Sequence, residues 1–198
     1  MRDPKYSTGL LIVDMQNDLV SPEGAERVPD SEKIITPIKS LIDRTYLFAH
    51  IFFTQQWHPF DHCSFRGHGG SHPIHCIAGS HGARIIHELD LAAKYYTILR
   101  KAFNPDIESY SPFEDATGTY ISEPAEIIMS YDIEHLIVCG VALDRAIVET
   151  ALSAIRAGFD ITVVLDATAG IEKSSGACEE AVTDMIFGGA TIVGSDDL

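Results

Sequence analysis

Short apolar runs alternating with amphipathic stretches constrain this chain more than any other feature of its sequence. The clearest unit covers residues 135–157, HLIVCGVALDRAIVETALSAIRA. Leu136 to Cys139 suits a strand buried on both faces, and Gly140 breaks it. Asp144 is placed to cap a helix whose apolar face is Ile147, Val148, Ala151, Leu152 and Ile155, and Gly158 ends it. Further strands are expected at 9–13, 46–54, 96–99, 160–166 and 190–193. Helices are expected around Ile34, Ile38 and Leu41, over 83–89, over 123–131, and around Ala181, Met185 and Ile186. Pro37 either kinks the first of these or sits in its first turn. Residues 17–30 carry Pro22, Gly24 and Pro29 and read as a loop. Strands alternating with helices at this rhythm predict a parallel sheet covered on both faces, with right-handed crossovers.

A length of 198 residues suits one domain over 1–198, with enough chain to bury its own core. No apolar run approaches the roughly 20 residues of a membrane span, and the polar start MRDPKYST lacks a signal peptide's apolar centre, so a cytoplasmic protein is expected. A formal charge of −15 disfavours nucleic acid and anionic membranes as partners and leaves small molecules. Cys63, Cys76, Cys139 and Cys178 have no CxxC spacing, which argues for reduced thiols. A P-loop, a GxGxxG fingerprint and a GxSxG elbow are absent from the sequence.

Three places carry candidate chemistry. Asp14 and Lys101 each end an apolar run, and parallel strands would bring both to one edge of the sheet, where ligands collect. The turn at 140–146 sits at the same edge and offers backbone N–H groups to developing negative charge. The third is the Gly- and Pro-rich stretch QQWHPFDHCSFRGHGGSHPIHC, which holds His58, His62, His68, His72 and His75; neutral imidazoles are common metal ligands. Pro59 argues against a helical zinc motif for His58 and His62.

These residues resemble the nicotinamidase branch of the isochorismatase-like cysteine hydrolases. LIVDMQND at 11–18, WHPFDHCSF at 57–65, HPIHC at 72–76, KAFNPDIESYSPF at 101–113 and GVALD at 140–144 follow that family's motifs in order. The resemblance implies a three-layer α/β/α Rossmann-like fold with a six-stranded, mainly parallel sheet. It also implies Asp14 as general base and Lys101 as the residue that holds and polarises the site. A divalent metal would lie on residue 56, His58 and His75, zinc first, with iron or manganese as alternatives. The amides of Ala142 and Ala146 would form an oxyanion hole, with a cis peptide at Val141–Ala142. The substrate would be a nicotinamide-like small molecule, with no nucleic-acid or membrane partner, and the chain would form a homo-oligomer.

Four positions depart from the family pattern. Ala146 stands where the nucleophilic cysteine belongs, and a methyl group attacks nothing. Gln56 replaces the metal-binding aspartate and weakens the expected site, because a neutral amide compensates less of the cation's charge. Leu19 and His72 replace the substrate-contacting phenylalanine and tryptophan; His72 could serve instead as an extra metal ligand. Four changes around one pocket, with the fold motifs intact, read as divergence rather than a single engineered inactivation. Three functions follow: a nicotinamidase-type amide hydrolase that is inactive or altered as written, a thiol-independent isochorismatase-like hydrolase using Asp14 and Lys101, or a non-catalytic binding subunit.

Overall fold

The computed structural model describes residues 7–198. In chain order the elements are β1 (Thr8–Val13), α1 (Asn17–Val20), α2 (Ile35–Asp43), β2 (His50–Gln56), α3 (His87–Ala92), β3 (Thr97–Lys101), α4 (Ser122–Met129), β4 (His135–Val141), α5 (Val148–Arg156), β5 (Asp160–Ala169), α6 (Ala177–Gly188) and β6 (Thr191–Val193). The six strands form one sheet in the order β3-β2-β1-β4-β5-β6, and every pairing is parallel. This is the three-layer α/β/α Rossmann-like architecture expected from the sequence.

Strand alternation divides the core in two. Leu10 and Ile12 point to the face covered by α2 and α3, where they meet Ile38, Leu41 and Leu89. Leu11 and Val13 point to the opposite face, against Ala125 and Ile128 of α4, Ala151 and Ala154 of α5 and Met185 of α6. Leu10, Leu11, Ile12 and Val13 are all completely buried. Each such side chain contributes about 1.5–3 kcal/mol of transfer free energy, which makes β1 the axis of the fold. Chain order reverses beside it, since β2 and β3 lie to one side of β1 and β4 to β6 on the other. The crevice beyond the carboxyl ends of β1 and β4 is the switch point at which open α/β sheets bind ligands.

Several boundaries differ from the sequence reading. Residues 17–30 are not wholly a loop, because α1 forms directly after β1. The second strand begins at His50 rather than residue 46, in register with Gly9 of β1. The third helix lies over His87–Ala92, later than 83–89. The third strand runs over Thr97–Lys101, two residues past the expected end at 99, so Lys101 lies within it as its last residue. Pro37 sits in the first turn of α2, where its missing N–H costs nothing. Gly140 does not end its strand: β4 continues through it to Val141. Its φ is +115° and a Cβ there would lie 2.2 Å from the Val13 carbonyl oxygen, so glycine lets β1 and β4 stay paired up to the crevice. Asp144 does not cap α5. A π-type turn over Leu143–Ile147 precedes that helix, and the Asp144 carboxylate accepts the Ile171 N–H at 2.8 Å instead.

Candidate active site

Parallel strands deliver three polar side chains and one turn to the switch point. Asp14 follows β1, Gln56 ends β2, Lys101 ends β3, and Ala142 to Ala146 follow β4. Asp14 and Lys101 form an ion pair of 2.8 Å in which neither side chain is exposed. Three donors converge on the Asp14 carboxylate: Lys101 Nζ and Gln56 Nε2 (3.0 Å) on Oδ2, and the Thr54 hydroxyl on Oδ1 at 2.5 Å. Lys101 also donates to the Tyr110 carbonyl. Asp14, Cys76 and Ala102 all have φ between 47° and 58°, a left-handed conformation that non-glycine residues adopt only where surrounding contacts enforce it.

The polar residues after Asp14 brace the same site. Gln16, fully buried, donates to the Gln56 and Ala83 carbonyls and accepts the Gln56 N–H. Asp18 accepts the Cys76 N–H at 2.7 Å, which ties the histidine-bearing loop to α1. Reading the segment DMQND for its first carboxylate alone missed these roles. A run of polar residues directly behind a buried strand was the available signal.

Gln56 links Asp14 to the histidines. A carboxylate only accepts, so the amide nitrogen faces Asp14 and Oε1 faces His75 Nε2 at 3.0 Å. His75 Nδ1 donates to the Pro73 carbonyl at 2.9 Å. Burial lowers the His75 pKa, so the ring is neutral at pH 7 with its one proton on Nδ1. Nε2 and Gln56 Oε1 therefore meet as two acceptors, an arrangement that a bound cation satisfies. His58 repeats the pattern. Its Nδ1 donates to the His75 carbonyl at 3.0 Å, and Nε2 is buried with no hydrogen-bond partner. Burial, reinforced by His75, pushes the His58 pKa down to about 3. These unshared nitrogen lone pairs fit a divalent metal.

The sequence reading did not single out Glu108. One ligand atom from each of His58, His62 and Glu108 lies within 4.8 Å of the others, with Glu108 Oε1 4.0 Å from His58 Nε2. The segment after β3 thus brings a carboxylate to the histidines. His72 does line the pocket, but Glu26 Oε1 (2.8 Å) holds its Nδ1 and Arg145 (3.1 Å) its Nε2, so neither nitrogen is available to a metal.

Leu19, Glu26, Val28, Gln56, His72, His75, Glu108, Tyr110, Ala142, Arg145, Ala146 and Ile171 line a single cavity. Position 146 therefore opens on the same space as Gln56, His75 and Glu108. The peptide Val141–Ala142 is cis, and the Ala142 carbonyl accepts the N–H groups of Arg145 and Ile147. Among the described residues, no cysteine lines this cavity. Cys139 is completely buried in β4, where burial raises its thiol pKa far above the ordinary value.

Residues 8–197 match the isochorismatase domain model. The chain belongs to the isochorismatase family. Within that family it is similar to the nicotinamidase of Saccharomyces cerevisiae, 30% identical over 80% of this chain and 86% of the relative. The structure of PnC1 from L. infantum in complex with nicotinate superposes with a TM-score of 0.89 at 30% identity, over 97% of this chain and 94% of that one. The pyrazinamidase of Pyrococcus horikoshii in complex with zinc gives a TM-score of 0.83 at 34% identity, over 95% and 99%. Among the described residues of this family member, no helix is long and apolar enough to cross a membrane.

Proposed function

We propose that the cavity is a nicotinamidase-type amide-hydrolase site without its thiol: it binds a nicotinamide-like ring and does not form an acyl-thioester. One observation carries this reading. Ala146 shares a cavity with Gln56, His75 and Glu108, and Gln56 donates from that cavity to the Asp14 carboxylate of an Asp14–Lys101 pair that is intact and fully buried. His58, His75 and the Gln56 carbonyl oxygen would hold a divalent metal, zinc first by likeness to the pyrazinamidase that carries it, with Glu108 supplying negative charge nearby. Such an ion, when bound, supplies a Lewis-acid anchor for a ring nitrogen.

The chain's own residues assign the remaining roles. Leu19, Val28 and Ile171 offer an apolar wall to the ring. Asp14, oriented by Thr54, Gln56 and Lys101, is placed to accept a proton. The amides of Ala142 and Ala146 are the oxyanion donors of this reading. In an Ala146→Cys variant the thiol proton passes to Asp14 and sulfur attacks the carboxamide carbon. Ammonia leaves, and water cleaves the thioester to the acid. Ammonia release from nicotinamide by zinc-loaded Ala146→Cys protein is the test. Release supports the reading; a folded, metal-loaded variant that binds nicotinamide and releases none overturns it.

The retained ion pair favours a second reading, a thiol-independent hydrolase in which Asp14 transfers the proton itself. Here Asp14→Asn abolishes activity that the parent chain shows on an isochorismate-like substrate. Activity unchanged by that substitution rules this reading out.

A further inference from the structure

Among the described residues, Arg145 is the one lysine or arginine lining the cavity, and it sits next to the position from which the thiol is missing. Its NH1 group donates to the Tyr110 hydroxyl and to His72 Nε2, each at 3.1 Å. The guanidinium carbon lies 5.0 Å from the centre of the Tyr110 ring. Neither hydrogen-bond acceptor is a carboxylate. His72 accepts through Nε2, so its proton is on Nδ1 and points to Glu26. Glu26, His72, Arg145 and Tyr110 thus form a chain across the cavity from four separate segments, and the arginine is fixed by it without being neutralised. Among the described residues no carboxylate lies within ion-pair distance of Arg145. A guanidinium has five N–H donors, and the bonds to Tyr110 and His72 occupy only those of NH1. A partly buried, immobilised arginine with spare donors and no counter-ion is a binding site for a planar anion, because a carboxylate matches its fork and removes the cost of the unpaired charge.

The charge inventory points the same way. Among the described residues, the cavity wall carries two carboxylates, Glu26 and Glu108, against the single guanidinium of Arg145. That leaves one net negative charge, which a divalent ion converts to one net positive charge. A monoanion then brings the loaded site to neutrality, whereas a neutral amide leaves it charged.

We infer that the site selects a small planar aromatic carboxylate over the corresponding carboxamide, with Arg145 as the residue that determines the choice. This rests on the reading of the cavity as the ligand site and sharpens it. The ring lies against Leu19, Val28 and Ile171, and the acid group faces Arg145 beside Ala146. The chain as it stands is then suited to holding the acid that amide hydrolysis yields rather than to making it.

The test is calorimetric titration of the zinc-loaded protein with nicotinate and with nicotinamide, in the parent chain, Arg145→Met and Arg145→Lys. The parent is expected to bind nicotinate about tenfold or more tighter, the effect of one charge-assisted pair that the amide cannot make. Arg145→Met is expected to bring the affinity ratio close to one while leaving nicotinamide affinity within about threefold. Arg145→Lys is expected to retain part of the preference. Because Arg145 also joins segments, a purely structural role would weaken both ligands together and leave the ratio unchanged; that result overturns the inference. Equal or tighter nicotinamide binding by the parent overturns it while leaving the ligand-site reading intact. Binding of neither ligand overturns both.

Discussion

Replacing Lys101 by methionine removes the positive half of an ion pair in which both side chains are fully buried. The Asp14 carboxylate would keep only the Thr54 hydroxyl and the Gln56 amide as partners. Stripping one partner from a buried pair costs about 3–5 kcal/mol, because the surviving charge is left without compensation. With two donors remaining on Asp14, about 3 kcal/mol is the expected value. In a chain of this size each kcal/mol moves Tm by about 2–4 °C, so the loss is about 6–12 °C. The double variant Lys101→Met with Asp14→Leu removes both charges and should be less destabilised than the two single costs combined. Urea unfolding of the parent, both single variants and the double variant closes the cycle, and a coupling of at least about 2 kcal/mol is expected. Additive single effects would refute this reasoning, since they would mean that the two charges do not stabilise one another.

Three further outcomes follow from named contacts. Gln56→Asp supplies an anionic ligand facing His75 and should raise zinc affinity by about tenfold or more in competition titrations; unchanged affinity would remove residue 56 from the metal site. His50 and His135 have pKa values lowered by burial, so on acidification the unfolded chain takes up protons before the folded one. Their contribution to stability is therefore present above pH of about 6.5 and lost as pH falls through the region below it. Urea midpoints should drop between pH 7.5 and 5.5, and less so in a His50→Gln/His135→Gln double variant. Gly140→Ala forces a Cβ against the Val13 carbonyl at positive φ and should cost about 2–4 kcal/mol in thermal unfolding; a cost under about 1 kcal/mol would show that β1 and β4 separate there easily.

What could be read from the sequence is what local periodicity sets. The apolar runs marked all six strands, and their rhythm implied parallel pairing, which alone brings Asp14 and Lys101 together from opposite ends of β1-β2-β3. Boundaries were less legible because register is a property of two strands: β2 starts at His50, opposite Gly9, although the apolar run begins earlier. Gly140 looked like a terminator, yet it is the residue that permits close pairing with Val13. In the site, the motif histidines His58 and His75 do converge with Gln56. Glu108 and Arg145 were not legible as site residues, because each reaches the cavity from an irregular segment and owes its significance to partners 35 to 73 residues away. Asp144 shows the converse. Its local position suggested a helix cap, and a contact 27 residues away took its carboxylate instead.

On the proposed reading of the cavity as an amide-hydrolase site without its thiol, a cysteine placed at position 146 should supply covalent chemistry. Intact-mass and peptide mass spectrometry of acid-quenched mixtures with nicotinamide tests this most directly, using zinc-loaded parent protein and the Ala146→Cys variant side by side. A nicotinoyl adduct is predicted on the peptide that carries residue 146 in the variant, with none on the parent. A variant that binds metal and nicotinamide but never acylates, or a parent that acylates at another residue, would contradict it.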